Sequence, residues 1–184
     1  MRDKIRRNSS LGFTVIETLV AIVVLAVGVL GLAAMLATSM AYMSTSKEDY
    51  IAQQKAAEAV ESIFTARNTG LKTWNSICNI GSPICPTGIF TAAPTQLCDA
   101  GPDGILGTAD DNCAIIDSLL TPGPDGKLGT ADDVLIPLDT YSRTITITAI
   151  PGNADLRQIA VTVTYISGRF NKSYTLTTNI SAFS

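Results

Sequence analysis

The chain has 184 residues, with 13 basic and 16 acidic side chains, no histidine and a net charge of −3 at neutral pH. Four of the basic residues and one acidic residue lie in residues 1–12, so the remainder of the chain has a net charge of −6. This acidity argues against a general nucleic-acid-binding face, which needs a basic footprint. With no histidine, no Gly-x-Ser-x-Gly motif and no phosphate-binding loop, we expect no catalysis and no required cofactor.

The first predicted element is a basic leader, residues 1–12, followed by a long apolar helix. Residues 19–37 carry no charge, and these nineteen residues span about 28 Å as a helix, close to the thickness of a bilayer core. Glu17 lies just inside the start of the apolar segment, where an ionisable side chain is costly unless it has a partner. By the positive-inside rule, we expect a single pass through the inner membrane, with the leader in the cytoplasm and everything after the helix in the periplasm or beyond.

A secretory signal peptide and an ordinary membrane anchor share this pattern of charge and hydropathy. The apolar segment is longer than the ~7–15 residues of a signal peptide's hydrophobic region, and no small-x-small cleavage site ends it cleanly. An ordinary anchor does not require Gly12, Phe13 and Glu17 at their present spacing. Both alternatives therefore leave the start of the helix unexplained.

Residues 12–17, GFTVIE, resemble the processing site and helix start of type IV prepilins, the class III prepilin signal. Residues 25–35, LAVGVLGLAAM, are similar to the minor pilins known as type IV pilus modification proteins. The resemblance implies that a prepilin peptidase cleaves after Gly12 and methylates the new amino terminus at Phe13. It also implies that Glu17 guides the addition of subunits to a fibre.

The spacing of Phe13 and Glu17 gives this assembly role a physical basis. Residues four apart lie on one face of a helix, so Glu17 is placed to pair with an amine of its own chain or of a neighbouring subunit. Opposite charges attract strongly in an apolar medium, and an unpaired charge there is heavily penalised.

The amino-terminal helix is expected to occupy residues 13–70, membrane-spanning to about residue 37 and amphipathic beyond. No proline precedes Pro83, and Asn68-Thr69-Gly70 is the first strong stop signal. An apolar stripe is predicted where residues recur at three- and four-residue steps, at Gln53, Ala56, Ala57, Val60, Ile63 and Phe64.

The remaining residues divide by composition. Residues 71–140 form a region rich in cysteine, aspartate and glycine, and residues 141–184 form a predicted antiparallel β-meander. Its strands are expected at 141–150, 156–166 and 169–180, where β-branched residues alternate between turn signals. Packed on the apolar stripe around Val60–Phe64, this small sheet gives an α+β fold, the ladle that the prepilin resemblance implies.

All four cysteines, Cys78, Cys85, Cys98 and Cys113, lie in the middle region. Their spacing contains no C-x-x-C pair, and a chain without histidine would need all four for zinc. Two disulfides are the expected use in an exported domain, with three connectivities available. We favour Cys78–Cys85 and Cys98–Cys113, because local loops without regular structure need local cross-links.

The same region contains an internal repeat. Residues 101–111, GPDGILGTADD, recur as residues 123–133, GPDGKLGTADD, and differ only at Ile105 and Lys127. Carboxylates in a glycine-rich turn can converge on a hard cation such as Ca²⁺. The candidate calcium ligands are therefore Asp103, Asp110, Asp111, Asp125, Asp132 and Asp133. The alternative is two solvated turns, in which these residues are ordinary, and the EF-hand pattern is absent.

The function that the resemblance favours is a minor pilin of a type IV pilus, serving assembly, priming or the tip. Its implied partners are other pilins, the prepilin peptidase, the inner-membrane assembly platform and, before assembly, the membrane itself. After assembly the protein would lie in the extracellular pilus. Three alternatives stay open: a pseudopilin of a type II secretion or DNA-uptake system, a tip-located binding module, and an unprocessed membrane-anchored protein.

Overall fold

The computed structural model describes residues 12–183, so the predictions for the leader lie outside the described residues except at Gly12. The chain divides into two compact units, residues 1–44 and residues 45–184. Helix α1, Val15–Asn68, contributes to both units. It ends next to Gly70, whose φ of 71° lies in the left-handed region that favours glycine. The predicted long amino-terminal helix is confirmed.

The first unit consists of the amino-terminal part of α1. Its large apolar side chains are all exposed, from Val15 at 78% to Met43 at 74%. The hydroxyl groups of Thr38 and Ser39 donate to carbonyl oxygens one turn back, including that of Met35, so the polar residues here do not interrupt the helix. Within the described chain, α1 is the one helix that is long and apolar enough to cross a membrane.

The second unit contains three antiparallel sheets. One sheet has four strands in the order β1-β6-β7-β8, and the others are the pairs β2-β3 and β4-β5. The strands are β1 (Thr95–Gln96), β2 (Cys98–Asp99), β3 (Asn112–Ile116), β4 (Ser118–Thr121), β5 (Val134–Pro137), β6 (Ser142–Ile150), β7 (Asn153–Ser167) and β8 (Phe170–Ser181). The α+β fold class is confirmed.

The predicted meander is present as β6, β7 and β8, with consecutive strands paired along most of their lengths. Strand β7 begins three residues earlier than predicted, because Asn153 pairs with Ile150 across the two-residue turn Pro151-Gly152. The five short strands β1–β5 were not predicted. They contain two to five residues each, too few to show a recognisable alternation.

The core lies between α1 and the inner face of the four-stranded sheet. The fully buried helix positions recur at steps of four and three residues, at Ala52, Ala56, Ala59 and Ile63. They pack against strand residues that are equally buried, among them Ile159, Val161 and Val163. Apolar pairing of a helix stripe with a sheet face is the main source of cohesion here.

The predicted stripe was wrong in two of its members. Gln53 and Ala57 are exposed, whereas Ala52 and Ala59 are fully buried. The steps of four and three residues that start from Ala52 place the buried seam slightly to one side of the predicted one. Small alanine side chains fit this seam because they let the helix approach the sheet closely, which hydropathy alone does not show.

Two buried polar side chains fasten residues 71–94 to the sheet. Asn79 donates from Nδ2 to the Ile145 carbonyl at 2.7 Å and accepts from the Ile147 amide at 2.7 Å, so it satisfies the edge of β6 as a strand would. Arg157 donates to the Ile77 carbonyl at 2.7 Å, and its guanidinium lies 4.0 Å from the centre of the Trp74 ring. These contacts fix the position of the loop that contains Cys78 and Cys85.

Candidate functional site

The start of α1 is organised by Thr14, which stands directly before the first helical residue. The Thr14 carbonyl oxygen accepts hydrogen bonds from the amides of Glu17 and Thr18, each at 3.1 Å. The Thr14 hydroxyl oxygen also accepts from the Glu17 amide, at 3.4 Å. A threonine followed three residues later by glutamate is the capping-box pattern, so Thr14 fixes where the helix begins.

Gly12 and Phe13 precede the helix and are exposed, with 79% of Phe13 accessible. A peptide bond in this position is open to an approaching peptidase. Phe13 and Glu17 border the same shallow apolar surface, together with Ile16, Val20 and Val24. The structure therefore brings Phe13 and Glu17 to one side of the chain, as the spacing predicted.

Glu17 is the acidic residue of the first turn of α1. A carboxylate in this position interacts favourably with the positive end of the helix dipole. Among residues 12–183 no basic side chain lies within ion-pair distance of Glu17, since the four ion pairs all involve other residues. The arrangement places the Glu17 carboxylate four residues after Phe13, at the start of the helix.

The cysteines form two disulfides, as expected for an exported domain. Cys78 is joined to Cys85 and Cys98 to Cys113, the pairing favoured from the sequence. Their Cα atoms are 6.4 and 4.7 Å apart, both within the range that a disulfide spans. The second disulfide closes the base of the β2–β3 hairpin, whose loop is the first repeat.

The first repeat, residues 101–111, is a loop closed by its own carboxylates. Asp103 accepts from the Ile105 amide at 2.9 Å, and Asp111 accepts from the Gly107 amide at 2.7 Å. The Thr108 hydroxyl donates to Asp110 at 2.6 Å, and this hydrogen bond lowers the pKa of the Asp110 carboxyl. Asp111 is partly buried, and burial raises its pKa.

The second repeat, residues 123–133, has the same internal hydrogen bonds. Asp125 accepts from the Lys127 amide at 2.8 Å, and Asp133 accepts from the Gly129 amide at 2.6 Å. The Thr130 hydroxyl donates to Asp132 at 2.6 Å and lowers the pKa of that carboxyl. The aspartates of both copies thus act as acceptors for loop amides and hydroxyls.

Within residues 12–183, no three acidic or cysteine side chains are grouped in a way that could hold a metal ion. The six candidate calcium ligands instead divide between the two loops, where most of them bind backbone amides. Calcium binding by the repeats stays a prediction.

Residues 7–33 match the family model of the prokaryotic N-terminal methylation motif. This motif is the class III prepilin signal of type IV pilin-like proteins, and the match includes Gly12, Phe13 and Glu17. The predicted prepilin signal is confirmed. Comparison with curated proteins and with solved structures found no match. The narrower similarity to type IV pilus modification proteins rests on residues 25–35 alone.

The sequence analysis did not identify several residues that are important for the structure. Thr14 could have been found, because the Thr-x-x-Glu capping pattern is readable in residues 14–17. Lys72 could not, since its ion pair with Asp103 at 3.0 Å joins residues far apart in the chain. Nor could Arg143, which is only 2% exposed on a strand that otherwise reads as threonine and isoleucine.

Proposed function

We propose that this protein is a minor pilin of a type IV pilus, incorporated through its amino-terminal helix after cleavage following Gly12 and N-methylation of Phe13. The observation that carries the proposal is the methylation motif at residues 7–33, placed at the start of an apolar helix whose side chains are exposed. Such a helix needs a membrane or neighbouring helices to cover it. The role is structural rather than catalytic.

Cleavage would convert Phe13 into a charged amine at the edge of the membrane. Thr14 holds the beginning of the helix, so Glu17 keeps a fixed position one turn from that amine. An amine of a neighbouring subunit that reaches Glu17 would neutralise two charges in an apolar setting, whereas a mismatched register would leave both unpaired. The charge pair would set the register, and contacts between the exposed apolar side chains would supply most of the cohesion.

The processing motif supports the prepilin peptidase and other pilins as partners. Before assembly the apolar helix would anchor the chain in the inner membrane, with the leader in the cytoplasm and residues 45–184 on the periplasmic side. The assembly platform in the inner membrane would then move the subunit into a filament. Low abundance relative to a main subunit is part of the proposal.

The decisive measurement is mass spectrometry of the amino-terminal peptide, from sheared filaments and from membranes. An N-methylated Phe13 peptide in filaments, well below the main subunit in amount, is the expected result. A Met1 peptide confined to membranes would contradict processing. A methylated peptide found only in membranes would contradict the pilus and favour a secretion pseudopilin.

The role of Glu17 is tested by E17Q. We expect normal membrane insertion but at least about a tenfold loss of filament incorporation, because losing about 1.4 kcal/mol of pairing energy already changes an equilibrium tenfold. E61Q is the matched control, since Glu61 is an exposed glutamate elsewhere on α1. T14A weakens the helix cap but keeps the Glu17 carboxylate. It therefore distinguishes an effect of the helix start from an effect of the charge. Equal incorporation of E17Q and E61Q would remove the assembly role of Glu17.

A further inference from the structure

The two edges of the four-stranded sheet differ in what covers them. At the β6 edge, β1 pairs with Ser142 and Arg143, and the Asn79 side chain binds the backbone of Ile145 and Ile147. The opposite edge is β8, whose one paired strand among the described residues is β7. An uncovered edge presents a row of unpaired backbone amides and carbonyls, to which another strand can bind.

Every second residue of β8 turns its backbone groups away from β7. Residues 168 and 169 form a two-residue turn, so Ser167 and Phe170 are a hydrogen-bonded pair. The alternation continues as far as the Ala182 amide, which donates to the Asp155 carbonyl at 2.8 Å. The even-numbered residues of β8 therefore bind β7. The residues whose backbone groups point outward are Asn171, Ser173, Thr175, Thr177, Asn179 and Ser181.

Strand β8 lacks the features that usually keep an edge strand from pairing. It has twelve residues and no proline, and its register with β7 is unbroken by a bulge. Its one charged residue, Lys172, is engaged inside the unit, with the ammonium 3.4 Å from the Asp49 carboxylate. The outward residues before Ser181 are uncharged and exposed. Within residues 12–183, the Ser181 carbonyl, bound by Arg67 at 3.0 Å, is the one outward backbone group with a hydrogen-bond partner.

The charges beside this edge indicate the chemistry of a partner strand. Residues 168–181 contain two basic residues and no acidic one, and the exposed Arg169 belongs to none of the ion pairs formed within the described chain. A strand with a carboxylate near the turn is therefore favoured. Strand β5 of a second copy follows Asp132 and Asp133, but it has four residues and ends at Pro137. It would leave most of β8 unpaired, so a longer strand of a different protein fits better.

We propose that β8 binds an extended strand of a neighbouring pilin of another kind by β-augmentation, with an acidic side chain of that strand beside Arg169. This inference rests on the proposed incorporation into a filament. The outward amides and carbonyls of β8 would supply the affinity, and the charge pair would fix which end of the strand lies at the turn. Hydroxyl pairs across neighbouring strands already occur in this sheet, since the Thr162 and Thr175 oxygens are 2.9 Å apart.

Photo-crosslinking in filaments tests the contact. The photoreactive residue p-benzoylphenylalanine is placed in the full chain at Thr177 on β8 or, as a matched control, at Thr146 on β6. Both threonines are exposed and lie in one row on the outer face, on either side of Ala160. We expect position 177 to crosslink to an acidic strand of another pilin, several-fold more strongly than position 146. Equal crosslinking from both positions, or crosslinks from position 177 only to copies of this chain, would overturn the inference.

A proline at the same position removes the outward amide without removing a hydrogen bond to β7. We expect T177P to lower incorporation several-fold, because the partner strand loses a main-chain hydrogen bond, and T177V, which keeps the amide, to incorporate normally. Incorporation is measured as the amount of N-methylated Phe13 peptide in sheared filaments relative to membranes. R169E, which leaves the backbone unchanged, should also lower it several-fold and serves as the second test if T177P is degraded.

The outcomes separate this inference from the proposed function. Normal incorporation of T177P, or of R169E where T177P is degraded, would overturn the strand contact and leave the minor pilin intact. Absence of the wild-type Phe13 peptide from filaments would overturn both.

Discussion

The β2–β3 and β4–β5 hairpins carry almost the same eleven-residue loop into two different environments. Ten of the eleven residues are identical, and the loop hydrogen bonds from Asp103 and Asp111 are reproduced by Asp125 and Asp133. In the first hairpin Ile105 and Leu106 are buried, at 1% and 6% exposure. In the second, Lys127 is exposed and Leu128 is 63% exposed. The internal geometry of the loop is therefore the same whether the loop packs against the core or faces solvent.

Long-range contacts and a disulfide hold the first loop in place. Its Asp103 carboxylate forms an ion pair with Lys72, its Leu106 amide donates to the Ser62 hydroxyl at 3.4 Å, and Cys98–Cys113 closes its base. The second hairpin has no disulfide, and the side chains of β5 are exposed along the whole strand. The comparison shows that one turn sequence can serve either as a core element or as a solvent-facing projection.

The largest effect is expected from exchanging the one position that differs between the loops. I105K should lower the free energy of unfolding by about 4 kcal/mol, because removing a buried isoleucine costs about 2–5 kcal/mol and a buried ammonium adds to this. K127I should change it by less than about 0.5 kcal/mol, as is usual on a surface. Denaturant unfolding of the full chain in detergent, followed by Trp74 fluorescence, measures both. Similar losses in the two variants would contradict the difference in docking.

Removal of the cross-link at the base of the first hairpin should have the next largest effect. The C98S/C113S pair opens a loop with a separation of 15 residues and should cost about 3 kcal/mol. The C78S/C85S pair, with a separation of 7 residues, should cost about 2 kcal/mol on the same argument. Limited proteolysis should then cut the first repeat as readily as the second in C98S/C113S. Continued protection of the first repeat would show that docking does not depend on the disulfide.

Glycines at equivalent positions of the two loops distinguish the stability cost of backbone strain from the cost of disturbing the contact between the first loop and the core. Gly107 and Gly129 have φ values of 84° and 88°, so an alanine at either position is strained by about 1 kcal/mol. A Cβ at Gly107 would also collide with the Ile145 side chain, whereas a Cβ at Gly129 meets nothing within 4 Å. We expect G107A to lose about twice as much stability as G129A, measured by thermal unfolding. Equal losses of stability in the two variants would show that the first repeat does not pack against the core.

The smallest effect concerns pH. Burial raises the pKa of Asp111 above 3.8, so the folded chain keeps this proton at pH values where the unfolded chain has lost it. Asp111 therefore makes the free energy of unfolding fall as pH rises from about 4 through its folded-state pKa. D111N should flatten the dependence of stability on pH in this window, and D133N is the matched control in the exposed loop. Identical pH profiles for D111N and D133N would contradict the burial of Asp111.

Most of the fold was predictable because its signals are local. The helix appears in the sequence as a long stretch without proline whose residues 18–46 carry no charge, and the meander appears as alternating β-branched residues between turn signals. The short strands β1–β5 were not predictable, since a strand of two residues is defined by its partner rather than by its own composition. The exposed positions of Gln53 and Ala57 were missed for a related reason. Which side of a helix faces the sheet depends on the fit of both surfaces.

Sequence alone determined the amino-terminal signal, because a basic leader, Gly12, Phe13 and Glu17 lie within a few residues of one another. It also determined the conformation of both repeats, since their carboxylates bind amides two to four residues away. Only the tertiary structure decided which repeat is buried and where the turn between β7 and β8 lies. Those outcomes depend on contacts such as Lys72–Asp103 and Ser167–Thr45, whose partners are brought together only when the core forms.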